Sequence, residues 1–233
     1  MSIYRIRILS LILLCVSSLA MAAPKQVQLT YEASRNGQLF ATVNETYQQE
    51  GNRYRIESVT KGVGVYALFG ERKLTSEGEV TAQGLKPSHF ELHQGDNEKR
   101  ALYTDFDWDS GQLKMKIKGK LNSVPLESGA QDLSSFIYQF MFAPPSGSEF
   151  RLPVTTGKKL RTYHYNVDTS GETLETVAGK FKVVHLHEAA AEADDDGKEL
   201  WLGVEQHYLP VKLMMKDDKG SKIEQVLTGI KVE

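Results

Sequence analysis

Cysteine is almost missing from this sequence: of 233 residues only Cys15 is one, and it lies close to the N-terminus. Downstream of it the chain can form no internal disulfide, run no thiol chemistry and hold no metal through sulfur. Long apolar runs are scarce as well. The stretch that stands out, residues 8–16, falls short of the about 20 residues that a membrane-spanning helix needs. A basic excess is also missing, since 28 Lys and Arg face 30 Asp and Glu for a net charge of −2. Nothing in that balance favours nucleic acid as a partner. The Gly-x-Ser-x-Gly pattern of an esterase-type nucleophile does not occur.

What is present begins with an address. Arg5 and Arg7 precede the apolar run, and Ala20-Met21-Ala22 follows it as a small-x-small cleavage pattern. That order predicts a signal peptide over residues 1–22, cut after Ala22, and hence a periplasmic protein. Leu14 stands before Cys15 where lipid attachment needs a small residue, which argues against a lipoprotein. The remaining 211 residues carry 26 basic and 30 acidic groups. They suffice for a single β-rich domain over residues 23–233, with two subdomains joined near residues 120–150 as the alternative.

Alternation dominates this region. In Leu113-Lys114-Met115-Lys116-Ile117-Lys118 one face is apolar and the other is lysine, the pattern of a half-buried strand. The same period recurs at residues 27–31, 53–57, 102–108, 160–167, 181–187 and 222–227. Asn36-Gly37, Gly51-Asn52, Gly95-Asp96-Asn97 and Ser110-Gly111 punctuate the front half as short turns, which predicts an antiparallel meander. In the segment from 197 to 220, Pro210 cannot donate to a ladder and belongs at a strand start or an edge.

One segment departs from this period. Leu133, Phe136, Ile137, Phe140 and Met141 fall at helical spacing, with Asp132 placed to cap and Pro144-Pro145 placed to stop. A helix of about three turns over residues 132–143 is expected. The predicted fold is therefore mainly β, a curved antiparallel sheet or incomplete β-barrel packed on one amphipathic helix.

Candidate chemistry is sparse. His185 and His187 share one face of a predicted strand, but no third ligand stands beside them, and Phe181 and Val183 on the same face suggest packing. Glu192, Asp194, Asp196 and Gly197 imitate the start of a calcium loop, yet Gly203 occupies the position of its closing carboxylate. Ser146 and Ser148 lie in a loop without a neighbouring base. No catalytic residue, metal site or cofactor is assigned. The least ordinary stretch is Lys61-Gly62-Val63-Gly64-Val65-Tyr66-Ala67-Leu68-Phe69-Gly70, whose glycines permit bends and close backbone approach. It predicts a flap that offers Val65, Tyr66, Leu68 and Phe69 to an apolar ligand, with Phe136, Phe140 and Trp201 lining the same cavity.

Gly84-Leu85-Lys86-Pro87 with Phe90, Phe106-Asp107-Trp108, Asp132-Leu133-Ser134-Ser135-Phe136, Leu200-Trp201-Leu202, Tyr208-Leu209-Pro210-Val211-Lys212 and Asp218-Lys219-Gly220 resemble the recurring blocks of an exported bacterial family known as domain of unknown function 3108. The resemblance implies a periplasmic β-rich domain. The Trp strand, the Leu-Pro-Val-Lys and the Asp-x-Gly are also similar to the closing strands of periplasmic lipoprotein carriers, which implies a half-open barrel with an apolar lining. The expected function is non-catalytic binding of an amphiphilic or apolar cell-envelope molecule. The alternatives are an envelope protein-interaction module that acts through a sheet edge, and a hydrolase of unrecognised type. Expected partners are a lipid or other amphiphile, or an envelope protein, with no nucleic acid and no transmembrane segment in the mature chain.

Overall fold

The computed structural model describes residues 23–189, 198–216 and 220–233. The signal segment and the calcium-like run lie outside the described residues. Eight strands form the front half: β1 Gln26–Arg35, β2 Gln38–Glu50, β3 Arg53–Gly62, β4 Arg72–Thr81, β5 Gly84–Gln94, β6 Leu102–Asp107, β7 Gln112–Ile117 and β8 Lys120–Pro125. After β9 (Gln131–Asp132) comes the helix α1, Ser135–Gln139. The back half follows with β10 Glu149–Thr155, β11 Leu160–Asp168, β12 Thr173–Thr176, β13 Gly179–Glu188, β14 Glu199–Gly203, β15 Leu209–Lys216 and β16 Lys222–Val232.

All strands join one open sheet in the order β8-β7-β6-β5-β4-β3-β2-β1-β16-β15-β14-β13-β11-β10-β9, with β12 beside β13. The front half is the expected meander, in which each strand pairs antiparallel with the next. Joining it to the back half takes the pairing of β1 with β16, whose register runs from Val27 opposite Val232 to Arg35 opposite Ile223. Among the described residues the only parallel pair places Val154 and Thr155 of β10 beside Gln131 and Asp132 of β9. Two of the register shifts fall beside prolines. One lies at β4 and β5, where Gly78 pairs with Pro87. The other interrupts β14 and β15 beside Pro210, which pairs with Leu202, and a bulge tolerates a residue without an amide proton.

The sheet curls until its two ends pack on each other. Thr155 Oγ1 lies 3.7 Å from Met115 Sδ of β7. At Gly157 a side chain would meet Leu102 and Phe90 at 3.2–3.3 Å. Alternate residues point into the concave side: Val27, Leu29, Tyr31 and Ala33 on β1; Val43 and Tyr47 on β2; Tyr54 and Ile56 on β3; Leu200 and Leu202 on β14. Their burial is the main source of stability, at about 1.5–3 kcal/mol per large side chain. A smaller cluster of Leu74, Phe90, Phe106, Leu113 and Met115 fills the end under β5–β7.

The helix is shorter than expected. It spans five residues, Ser135–Gln139, because tertiary pairing claims the start: Asp132 belongs to β9 and is fully buried. Its Oδ1 still accepts the amides of Ser134 and Ser135, at 2.8 and 2.9 Å, which is the capping chemistry expected of it. Past Gln139 the chain tightens into single turns, with the Met141 amide on the Tyr138 carbonyl and the Phe142 amide on the Gln139 carbonyl. The one partly exposed residue of the helix is the polar Gln139. Phe136, Ile137, Tyr138, Phe140 and Met141 are all buried, so the segment plugs the concave side. Gln139 fixes it to the β4–β5 turn by accepting from the Leu85 amide at 2.6 Å and donating to the Gln83 carbonyl at 2.9 Å. Gly84 makes room for this side chain, since a Cβ there would fall 2.4 Å from Gln139 Oε1.

Candidate functional site

The structure divides the expected ligand residues into three groups. Phe136 and Phe140 are packed in the core, where Phe140 meets the Phe150 ring edge-on at 5.8 Å. Trp201 takes the face opposite its neighbours Leu200 and Leu202 and is itself buried, at 8% exposure. It lies between the imidazole of His185, stacked at 4.2 Å, and Lys212 Nζ, 4.7 Å above the ring. His185 also contacts Glu199 Oε2 at 2.9 Å and His187 is 5.6 Å away. Among the described residues no group of three or more His, Cys, Asp or Glu is placed to hold a metal ion.

Val65, Tyr66, Leu68 and Phe69 form the third group, on the 3-10 turn Gly64–Phe69 between β3 and β4. Three of them point outward, Val65 at 71%, Leu68 at 87% and Phe69 at 71% exposure. Burying such side chains would gain about 1.5–3 kcal/mol each, so their exposure is costly unless something covers them. The turn is nonetheless held in place. Tyr66 packs edge-on against Phe40 at 5.7 Å, and the Val63 amide bonds the Phe40 carbonyl at 2.8 Å. Gly62 permits this fold, since a Cβ there would lie 2.3 Å from the Tyr66 carbonyl oxygen. Gly64 and Gly70 bound the turn with φ of +58° and +73°, a region where glycine costs little.

This turn occupies the rim of the sheet at which β3, β5 and β7 end. Its neighbour is the β5–β6 connection. Gln94 Nε2 reaches the Phe69 carbonyl at 3.4 Å, and the Gly95 amide donates to Glu71 at 2.7 Å. There the short helix Glu98–Arg100 is capped by Asn97 Oδ1 on the Lys99 amide at 3.1 Å. Together with Tyr103, Lys116, Lys118 and Gly119 it borders an open groove of about 790 Å³. Tyr103 donates its hydroxyl to Glu98, a bond that pushes the phenol up to about 12. Lys116 Nζ lies 5.3 Å over the Tyr103 ring.

Two other surfaces compare with the rim. On the convex face of β3–β6 charges interlock: Arg55 with Glu57 at 2.7 Å and with Glu77, Lys73 with Glu57 at 3.2 Å, His89 with Asp105 at 2.6 Å and with Glu91 at 2.9 Å, His93 with Glu91 at 2.9 Å. They frame a groove of about 320 Å³. A second groove, about 400 Å³, lies beside Trp108, whose indole donates to the Pro87 carbonyl at 2.6 Å.

Inside, two carboxyls are buried among the described residues. Glu45 accepts from Ser58 Oγ at 3.0 Å and from Tyr138 OH at 3.4 Å, and burial pushes its carboxyl up to about 7. Asp132 accepts from Ser76 Oγ at 2.6 Å and is likewise raised by burial. Neither borders the three grooves; both are held inside the sheet by hydroxyl and amide donors. Ser58-Val59-Thr60-Lys61 has the Ser-x-x-Lys spacing of some acyl-transfer enzymes. On a strand, residues three apart face opposite sides; Ser58 turns inward to Glu45, whereas Lys61 pairs with Glu71 at 2.9 Å.

The chain belongs to a protein family of unknown function, DUF3108, whose model matches residues 27–228. No curated protein matches it in sequence. Among solved structures it is similar to a β-barrel-like protein of domain of unknown function DUF1849 from Brucella abortus, at 10% identity and a TM-score of 0.57, over 89% of this chain and 98% of that one. That likeness is one of fold. A domain described as outer membrane lipoprotein-sorting, from Vibrio parahaemolyticus, aligns over 89% of this chain and 85% of its own at 8% identity, but its TM-score of 0.26 is too low for a shared fold. Among the described residues no helix is long and apolar enough to cross a membrane.

Proposed function

We propose that the protein is an exported, non-catalytic envelope protein that binds an apolar or amphiphilic molecule through the rim turn Gly64–Phe69. One observation carries this reading: Val65, Leu68 and Phe69 stand at 71–87% exposure on a turn whose backbone and Tyr66 anchor are well packed. An apolar surface built this firmly and left uncovered marks an interaction site. The contact is at the rim and not in the interior, where Phe136 and Phe140 are enclosed by core. Export is supported by the sequence pattern of residues 1–22.

A fluorescent naphthylamine probe, which brightens in apolar surroundings, tests this. The parent protein is expected to bind the probe, and a Leu68→Asn, Phe69→Asn variant to lose at least tenfold in affinity while melting at the parent's denaturant midpoint, since exposed substitutions change stability by only about 0.5 kcal/mol. Equal binding by both proteins would reject the rim as the site. Sheet-edge pairing is the second reading, favoured by β8, which ends the sheet and is exposed at Lys120–Asn122.

A further inference from the structure

We propose that the occupant of this rim is the surface of a bilayer containing anionic lipid: Val65, Leu68 and Phe69 insert, and the basic groove beside them takes the headgroups. The inference rests on the preceding reading and names the ligand class. Three observations support it. The first is shape. A site for one small molecule is concave and encloses most of its ligand, whereas Leu68, at 87% exposure, projects from a turn. A projecting apolar knob suits insertion into the headgroup boundary of a membrane.

The second is charge. Lys99, Arg100, Lys116 and Lys118 border the groove and Lys120 follows at the next turn. Among the described residues none of the five is in an ion pair, while Arg55, Lys61, Lys73 and Lys114 on the neighbouring strands each have at least one. Asp96 and Glu98 oppose them, so five cations against two carboxylates leave +3, in a chain whose net charge is −2. Lys61 and Glu71 cancel each other at 2.9 Å.

The third is adjacency. The Gly95 turn bonds the backbone of Phe69 and Glu71, so the cations begin directly beside the apolar turn. On the far side of the groove Leu121, 68% exposed, stands opposite Lys116 in the β7–β8 register. Of the seven large apolar side chains exposed among the described residues, Leu39, Val65, Leu68, Phe69 and Leu121 all sit at this rim. Apolar knobs flanked by unpaired cations are complementary to anionic lipid in both chemistry and placement.

Vesicle sedimentation tests this with the full chain, using vesicles of phosphatidylcholine alone and vesicles with equal parts of phosphatidylglycerol. The parent should bind the mixed vesicles about a hundredfold more tightly, as expected for a net of three charges near an anionic surface. Lys99→Glu with Lys118→Glu should remove that preference and leave naphthylamine binding intact. The Leu68→Asn, Phe69→Asn variant should lose both kinds of binding. Soluble glycerol phosphate should not compete with the vesicles. Equal binding to the two vesicle types, an unchanged preference in the charge-reversed variant, or displacement by glycerol phosphate would each overturn the bilayer as occupant. Probe binding without any vesicle binding would overturn this inference while leaving the proposed function in place, and absence of probe binding would remove the proposed function itself.

Discussion

The convex face of β3–β6 and the rim beside it are both rich in charge, yet they use it differently. On the convex face cations meet carboxylates: Arg55 bridges Glu57 and Glu77, and His89 lies between Glu91 and Asp105. At the rim Lys99, Arg100, Lys116, Lys118 and Lys120 have no carboxylate partner among the described residues, and the exposed side chains next to them are Leu68 and Phe69. A surface that satisfies itself has little left to offer a partner. Unpaired charge beside uncovered apolar surface is free to bind, so the contrast separates the part of the exterior that maintains the sheet from the part that is available to a ligand.

The comparison can be sharpened by substitutions whose effects fall on only one side of it. The largest effect belongs to the interior. Phe140→Ala should cost about 3–5 kcal/mol in a denaturant melt, the range for a large aromatic removed from a packed core. Vesicle binding by the fraction that stays folded should be unchanged. Next comes Glu45, whose carboxyl is raised by burial to about 7. A carboxyl that holds its proton more tightly when folded contributes stability below its unfolded value near 4.5, and that contribution fades as pH rises toward about 7. Glu45→Gln should therefore match the parent in acid and exceed it above neutrality by on the order of 3 kcal/mol, read from melts across the pH range.

The convex face should respond less. Burial draws the His89 imidazole down, but its bonds to Asp105 and Glu91 outweigh that and hold it above its ordinary value. The stability from this charge is present at acidic pH and disappears as pH rises through the raised value. His89→Gln should thus cost more in acid than in base, and by no more than about 1 kcal/mol, because the group is partly exposed and screened. None of these three changes should alter the preference for anionic vesicles. If His89→Gln did so, the convex network would belong to the site and the contrast would fail.

Much of the architecture was legible because it is local. Leu113, Met115 and Ile117 alternate with lysines, and the Asn36-Gly37 and Ser110-Gly111 turns mark hairpins, so strand identity and the meander follow from neighbouring residues. The closure of β1 onto β16 could not be read this way, since it joins residues some 200 positions apart. The helix was overextended for a similar reason: Asp132 has a capping side chain, but pairing with Thr155 draws it into β9. Trp201 and Leu202 are neighbours on one strand and so face opposite sides, yet alternation alone does not say which side is concave. At the candidate site the Gly-rich apolar turn stood out in the sequence. The basic groove did not, because Lys99, Arg100, Lys116 and Lys118 come together only when β5–β8 pair; the short turns between those strands were the signal that could have placed them at one end.

The claim that the rim turn itself enters the bilayer is tested most directly by a single label. On a Cys15→Ser background, which removes the chain's only cysteine, Leu68→Cys carries an environment-sensitive fluorophore at the most exposed apolar position of the turn, and Lys114→Cys carries it on β7. With vesicles of equal phosphatidylcholine and phosphatidylglycerol, the label at position 68 should shift to the blue and become accessible to lipid-bound quenchers, while the label at 114 stays in water. Quenching at 114 but not at 68, or at neither position while the protein sediments with the vesicles, would contradict insertion by this rim.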